Sequence, residues 1–122
     1  DVIRTRELIE LSKPLEFTFH RAFDEVLNPI EALFQLIELK VDRILTSGQA
    51  ETAVKGLGLL NKLIKVAENK IIIMPGSGIN INNILEFKKI RSKEIHGSFI
   101  KDPSNKNSIS DFNEILNCKD LI

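Results

Sequence analysis

A chain of 122 residues, 43% of them apolar and 28% charged, has the length and composition of one small domain with a packed core. Its 17 basic and 17 acidic residues balance to zero net charge, which argues against nucleic acid as a partner, because such surfaces usually carry excess positive charge. No apolar run approaches the roughly 20 residues of a membrane-spanning helix, so we expect no membrane partner. The single cysteine, Cys118, excludes an internal disulfide and favours a reducing, cytoplasmic location.

The first predicted elements are a helix, a proline break and a short strand. Apolar residues recur among charged ones at helical spacing over residues 2–12, and a proline ends that pattern. Residues 16–21 then alternate apolar and polar side chains, which predicts a strand that delivers His20, Arg21 and Asp24 to one place. The alternative is a half-buried strand followed by a helix-capping Asp24 and a solvated Arg21.

Helices and strands alternate along the rest of the chain. Asn28 and Pro29 predict a helix start, because an Asn cap followed by Pro is typical of a first helical turn. Gly56 and Gly58 weaken the helix predicted over residues 49–68 near its start, by roughly 1 kcal/mol each relative to Ala. They permit a bend or close packing there. The predicted segments after residue 41 are a strand over 42–48, a helix over 49–68, a strand over 70–75 buried on both faces, a helix over 81–90, a strand over 94–98, a polar loop over 101–110 and a helix over 109–122.

This alternation is typical of an α/β fold in which helices connect the strands of a parallel sheet. The strand–helix units recur about every 25 to 30 residues, as in a (β/α)8 barrel of the TIM type. Such a barrel has eight units in about 250 residues, and this chain has about four. The sequence therefore predicts a half-barrel over residues 1–100, followed over residues 101–122 by a polar loop and a terminal helix.

Polar or small residues follow each of the four predicted strands. In parallel folds of this kind, chemistry collects at the carboxyl ends of the strands. We expect these strand ends to lie at one rim and to form a single polar mouth. The candidate residues are His20, Arg21 and Asp24 after the first strand, Thr46, Ser47, Gly48 and Gln49 after the second, Gly76, Ser77, Gly78 and Asn80 after the third, and His96 and Ser98 after the fourth.

The two histidines share a predicted orientation. Strand parity places His20 and His96 on the face opposite the apolar residues that meet the helices, so both are expected to face the barrel lumen. Two imidazoles could bind a soft or borderline metal, or share proton transfer. The alternative is that each ring satisfies an interior carbonyl or carboxylate, since two His residues without a clear third ligand indicate a metal only weakly.

Two further patterns indicate anion binding. The Gly76–Gly78 segment precedes a predicted helix, and backbone N–H groups at a helix start favour phosphate; the alternative is a tight turn capped by Asn80. Arg21 and Arg43 could clamp a carboxylate or a phosphate, oriented by Asp24 or Asp42. Because Arg43 lies within a strand, an ion pair with a carboxylate inside the barrel is expected, and that pair can be purely structural. Cys118 is expected to pack in an apolar environment.

Four motifs in this order and spacing resemble the copper homeostasis protein CutC family. They are Thr18–Asp24, Asp42–Gln49, Ile73–Ile79 and Glu94–Ser98, and the resemblance runs from about Pro14 to Ser98. The family is a cytosolic (β/α)8 barrel of about twice this length, and the matched motifs correspond to its strands five to eight. Ser77 departs from the three consecutive glycines that the family usually has.

The resemblance implies a role in copper homeostasis with copper(I) binding. Copper(I) binding in the family is assigned to cysteines, whereas this chain offers only Cys118, outside the matched region. A rival interpretation is an enzyme of unknown reaction that acts on a small phosphorylated or carboxylated ligand, with His20 or His96 as acid–base and Arg21 or Arg43 as anchor. A third is an inactive truncated fragment. An open half-barrel exposes strand edges, so we also expect a homo-oligomer.

Overall fold

A computed structural model describes residues 1–100 and 109–121 of the chain. Helices and strands alternate in the predicted order, and the short connections keep consecutive elements adjacent in space. The elements are α1 (Val2–Ser12), β1 (Thr18–Phe19), a 3-10 helix (Arg21–Glu25), α2 (Pro29–Glu38), β2 (Arg43–Thr46), α3 (Leu57–Ala67), β3 (Ile72–Pro75), α4 (Ile84–Lys89) and α5 (Phe112–Leu121).

The strands form one parallel sheet in the order β1-β2-β3. Thr18 pairs with Arg43, and Arg43 pairs with Ile72, so the strands start nearly level. The predicted fourth strand contributes a single parallel bridge, between His96 and Gly76, at the far end of β3. The structure thus confirms the α/β class with a parallel sheet, and strand order follows chain order as it does in a barrel.

One face of the sheet carries the core. Along β2 and β3 every second residue is buried, and Ile44 and Ile73 lie on that face beneath the helices. Residues of the opposite face, such as Leu45 and Met74, are only half-buried. The prediction that the third strand is buried on both faces is therefore wrong for the described part of the chain. The core beneath the helices is completed by Phe23, Leu33, Leu60, Leu63, Ile84 and Phe87.

Local interactions explain where several elements begin. Asn28 caps α2 as predicted, and its side-chain oxygen accepts from the backbone N–H of Glu31. The chain after His20 forms a 3-10 helix, and the Nδ1 of His20 accepts from the backbone N–H of Ala22 at its start. α3 begins at Leu57, eight residues after the predicted start at 49, because the preceding residues are engaged in tertiary hydrogen bonds described below.

The terminal helix predicted over 109–122 spans Phe112–Leu121. Ile109, Phe112 and Leu116 are exposed, whereas Cys118 is buried against the rest of the fold, as expected. α5 packs beside α4, and the ammonium of Lys88 donates to the carbonyl of Leu121 over 3.0 Å. The polar loop predicted over 101–110 lies mostly outside the described residues. None of the helices in residues 1–100 and 109–121 is long and apolar enough for a membrane span.

Candidate functional site

The carboxylate of Asp24 is the centre of the hydrogen bonds at the carboxyl ends of β1 and β2. Its Oδ1 accepts from the Thr46 hydroxyl at 2.5 Å and from the backbone N–H groups of Ser47 and Gln49, each at 3.1 Å. Its Oδ2 accepts from Nε of Arg21 at 2.8 Å. The Asp24 side chain is only 7% exposed, so its charge is stabilised by these donors more than by water.

The two hydroxyls beside Asp24 have assigned roles. Thr46 is fully buried; it donates to Asp24 and accepts from the backbone N–H of Gly48 at 2.9 Å. The Ser47 oxygen lies 2.5 Å from the carbonyl of Ala50 and 3.1 Å from Asp24 Oδ2. A hydroxyl has one proton, so the shorter contact indicates donation to Ala50, which leaves the Ser47 oxygen free to accept from a neighbour.

Opposing effects act on the pKa of Asp24. Burial raises this pKa, because it disfavours the charged form, but the hydrogen bonds from Thr46 and Arg21 and from the backbone of Ser47 and Gln49 outweigh it. The net result is a pKa below the ordinary value of 3.8. Asp24 is therefore an anion at neutral pH and acts as an acceptor that organises its surroundings.

Arg21 is held on one edge and exposed on the other. Its Nε donates to Asp24, and its Nη2 donates to the Ser47 oxygen at 3.0 Å. The side chain remains 45% exposed. The predicted orientation of Arg21 by Asp24 is thus present in the structure, and Ser47 adds a second anchor across the loop.

His20 caps the 3-10 helix. Its Nδ1 accepts from the backbone N–H of Ala22 at 3.0 Å, and its ring stacks on Phe19 with centroids 5.7 Å apart. A neutral imidazole that accepts at Nδ1 carries its proton on Nε2, so the exposed nitrogen is a donor in this arrangement. The strand ends at Phe19, so strand parity does not set the direction of His20.

His96 lies at the carboxyl end of β3. Its backbone N–H donates to the carbonyl of Pro75 at 2.8 Å, and its side chain is exposed. The backbone of Gly76 lies close to both neighbours, because a Cβ there would lie 3.4 Å from the Cβ of His96 and 2.5 Å from Cδ1 of Leu45, whose side chain would have to move. This contact brings His96 beside the end of the third strand; Ser98, also exposed, lies two residues beyond it.

The loop after β3 is tied to the loop after β2. Ser77 has a φ of 91°, a left-handed conformation that a side chain rarely adopts. Its hydroxyl donates to the carbonyl of Glu51 at 3.0 Å, and its carbonyl accepts from Ala53 over the same distance. The carbonyl of Gly78 accepts from the Asn83 amide at 2.8 Å. α4 begins only at Ile84, so the structure does not place a helix start directly behind the Gly76–Gly78 segment as predicted.

Arg43 lies apart from this group, at the amino end of β2. Its Nε donates to Glu94 at 2.9 Å, and its Nη2 donates to Glu16 at 2.8 Å. The hydrogen bonds to Glu94 and then Glu16 raise its pKa against the effect of burial. The ion pair expected for a strand arginine is therefore present, whereas Asp42 instead accepts from the backbone of Phe17. The structure does not bring Arg43 together with Arg21.

A family model described as the CutC family matches residues 1–101 of the chain. A CutC family protein of Parabacteroides distasonis is 54% identical over 99 residues, which cover 80% of this chain and 41% of the relative. One from Edwardsiella ictaluri is 45% identical over 98 residues and is covered to 39%. The chain belongs to the CutC family.

A solved CutC structure shares the fold of this chain. It comes from Streptococcus agalactiae, is provisionally named as the copper homeostasis protein CutC, and superposes with a TM-score of 0.73 at 27% identity. The match covers 80% of this chain and 49% of the solved one. This CutC chain thus spans about two fifths of the length of the curated relatives and about half of the solved structure.

The donors in the described part of this CutC chain do not form a preformed copper site. Within residues 1–100 and 109–121, no three or more His, Cys, Asp or Glu side chains come together as metal ligands. The lone pair on Nδ1 of His20 is used by Ala22. Burial, with a smaller effect from Glu114, raises the pKa of Cys118, which disfavours the thiolate form that copper(I) prefers.

Sequence reasoning missed the backbone partners in the loop after β2. Ala50, Glu51 and Ala53 fix the positions of Ser47 and Ser77, yet they lie where a helix was predicted. The available signal was Gly48 and Gly56: a Cβ on Gly56 would lie 1.9 Å from the carbonyl oxygen of Ser47. Glycines at positions 48 and 56 allow the two backbone segments to approach closely, and this approach is incompatible with a continuous helix over residues 49–68.

Proposed function

We propose that this chain takes part in copper homeostasis. The observation that carries the proposal is the CutC match over residues 1–101, together with the fold shared with the S. agalactiae protein that bears that name. The free thiol of Cys118 suits a reducing compartment, so we propose that the chain acts in the cytoplasm.

Copper(I) binding is the finer form of this role, and the candidate ligands are His20 and His96. Binding at Nε2 of His20 would require its proton to leave, or to move to Nδ1 and break the hydrogen bond from Ala22. His96 is exposed and supplies a single imidazole. We therefore propose that the role in copper homeostasis does not depend on a copper(I) ion held by these two histidines.

A second candidate function is an activity on a small phosphorylated or carboxylated ligand. The specific observation in its favour is the guanidinium of Arg21, which a buried carboxylate orients at the strand ends while half of the side chain stays exposed. This second proposal includes catalytic roles for His20, His96 or Arg43. It also includes ligand binding by the other strand-end residues, which are Thr46, Ser47, Gly48, Gly76, Ser77, Gly78 and Ser98.

The test of the copper role is copper tolerance in a bacterium whose own CutC family protein has been deleted. We expect expression of this chain to raise the copper concentration that the deletion strain survives. The control is a strain that carries the empty vector, and immunoblotting verifies that the chain is present and soluble. Unchanged tolerance despite a soluble, folded chain would contradict the proposed role.

A further inference from the structure

We propose that Arg21 forms an oxyanion-binding site for a small phosphorylated or carboxylated ligand, and that Asp24 and Ser47 hold its guanidinium in the binding orientation. This inference rests on the second candidate function proposed above, for which it names the binding site, and it does not depend on the binding of a metal. It rests on the donors that Arg21 has left, the charge around it and the rigidity of its supports.

The first argument is the number of donors. A guanidinium carries five N–H bonds in one plane. Among the described residues, Asp24 takes the bond on Nε and Ser47 takes one on Nη2. Three N–H bonds remain, two on Nη1 and one on Nη2, and the side chain is 45% exposed. The Nη1–Nη2 edge matches the two oxygens of a carboxylate or a phosphate.

The second argument concerns charge. An arginine paired with an aspartate is formally neutral, which would weaken its attraction for an anion. Asp24, however, also accepts from Thr46 and from two backbone N–H groups, so Arg21 is one of several donors that compensate its charge. Part of the guanidinium charge is therefore left for a ligand.

The third argument is preorganisation. Asp24 is nearly buried, and its carboxylate joins the 3-10 helix to the loop after β2. The side-chain amide of Gln49, in the loop after β2, donates to the carbonyl of Val26 at 2.5 Å, which is a second hydrogen bond between this loop and the end of the 3-10 helix. A side chain that is already oriented loses less entropy when a ligand binds, so weak intrinsic contacts can still give measurable affinity.

The experiment measures thermal stability in inorganic phosphate, in acetate and in chloride at matched ionic strength and pH. We compare the wild-type chain with Arg21→Ala and with Arg6→Ala, which removes the same charge from an exposed position in α1. We expect phosphate, acetate or both to raise the Tm of wild type and Arg6→Ala by about 4 °C above chloride at concentrations well above Kd, and to leave Arg21→Ala unchanged. The phosphate and acetate arms separate the two ligand classes.

The Arg21→Ala variant also loses the hydrogen bond between Arg21 and Asp24, so a second measurement uses the wild-type chain itself. The side-chain Nε–H signal of Arg21 in the wild-type chain is followed by NMR during titration with the anion, and the spectrum of Arg21→Lys assigns it. A saturable shift of this signal supports the site. The absence of any shift with phosphate and acetate, or an equal rise in Tm for Arg21→Ala, would overturn the proposal.

Discussion

The buried carboxylate of Asp24 determines how the ends of the first two strands are arranged. It joins Arg21 to the backbone of Ser47 and Gln49, so a single side chain fixes the 3-10 helix against the loop after β2. The sequence indicated Asp24 or Asp42 as the carboxylate that orients Arg21 or Arg43, and the structure pairs Asp24 with Arg21. The sequence could not predict the bonds to Thr46 and Ser47, since these depend on how the strands align.

We predict a pH-dependent contribution of Asp24 to stability. The folded pKa of Asp24 lies below its unfolded value of about 3.9, so its contribution is fully present above that pH and is lost as pH falls through the folded pKa. Asp24→Asn should lower the free energy of unfolding by about 2–3 kcal/mol at pH 7, because hydrogen bonds to a charged group are lost. Urea denaturation between pH 7 and pH 3 measures the difference from wild type.

The control for this prediction is Asp120→Asn, at an exposed position in α5. This change should leave stability within about 0.5 kcal/mol of wild type at every pH, as is usual for surface substitutions. A difference between wild type and Asp24→Asn that stays constant down to pH 3 would show that the hydrogen-bonded carboxylate is not its source.

The start of α3 shows why element boundaries differ from those that periodicity predicts. Apolar residues such as Ala53 and Leu57 continue at helical spacing, yet the helix begins only after Gly56. The backbone at Gly56 lies against the carbonyl of Ser47, and Gly48, at a φ of 74°, touches the same segment. Periodicity describes which side chains are apolar. It contains no information about the backbone contact between Ser47 and Gly56, which lie nine positions apart.

We predict opposite effects for two neighbouring glycines. Gly56→Ala places a Cβ 1.9 Å from the Ser47 carbonyl oxygen and should destabilise the fold by about 2–3 kcal/mol. Gly58→Ala is the matched control, because a Cβ there meets no atom within 4 Å, and it should stabilise the fold by about 0.5 kcal/mol through helix propensity. Equilibrium urea denaturation of both variants tests the pair, and equal stabilities would contradict the contact.

α5 gives a second case in which pattern and packing differ. Phe112 and Leu116 are apolar yet exposed, whereas Cys118 is buried. A short helix with apolar residues on several sides has no single face that periodicity can select. By contrast, the cap of α2, the parallel order of the strands and the polar strand ends were predictable, because each depends on local sequence signals.

The sheet as a whole has a covered face and an open one. Helices cover Ile44 and Ile73, whereas Leu45 and Met74 on the opposite face are only half-buried. β1 and the segment around His96 pair on one side only among the described residues. We propose that the chain forms half of a barrel, equivalent to strands five to eight of the CutC fold, and that a second copy covers the open face.

This proposal predicts a dimer at micromolar concentration, which sedimentation analysis measures. Met74→Lys, on the open face, should shift the population towards monomer, because burial of an unpaired charge is costly. Leu85→Lys is the control, since Leu85 is 46% exposed on α4, outside the open face. A wild-type chain that sediments as a monodisperse monomer and melts cooperatively would contradict the proposal.

The most direct test of the site as we describe it is a copper(I) competition titration under reducing conditions. It compares the wild-type chain with the His20→Ala/His96→Ala double variant. Because His20 uses its acceptor nitrogen for Ala22, we predict that both proteins compete for copper(I) equally weakly. Tight one-to-one binding by the wild type that is lost in the double variant would contradict this account and would make the chain a histidine-based copper protein.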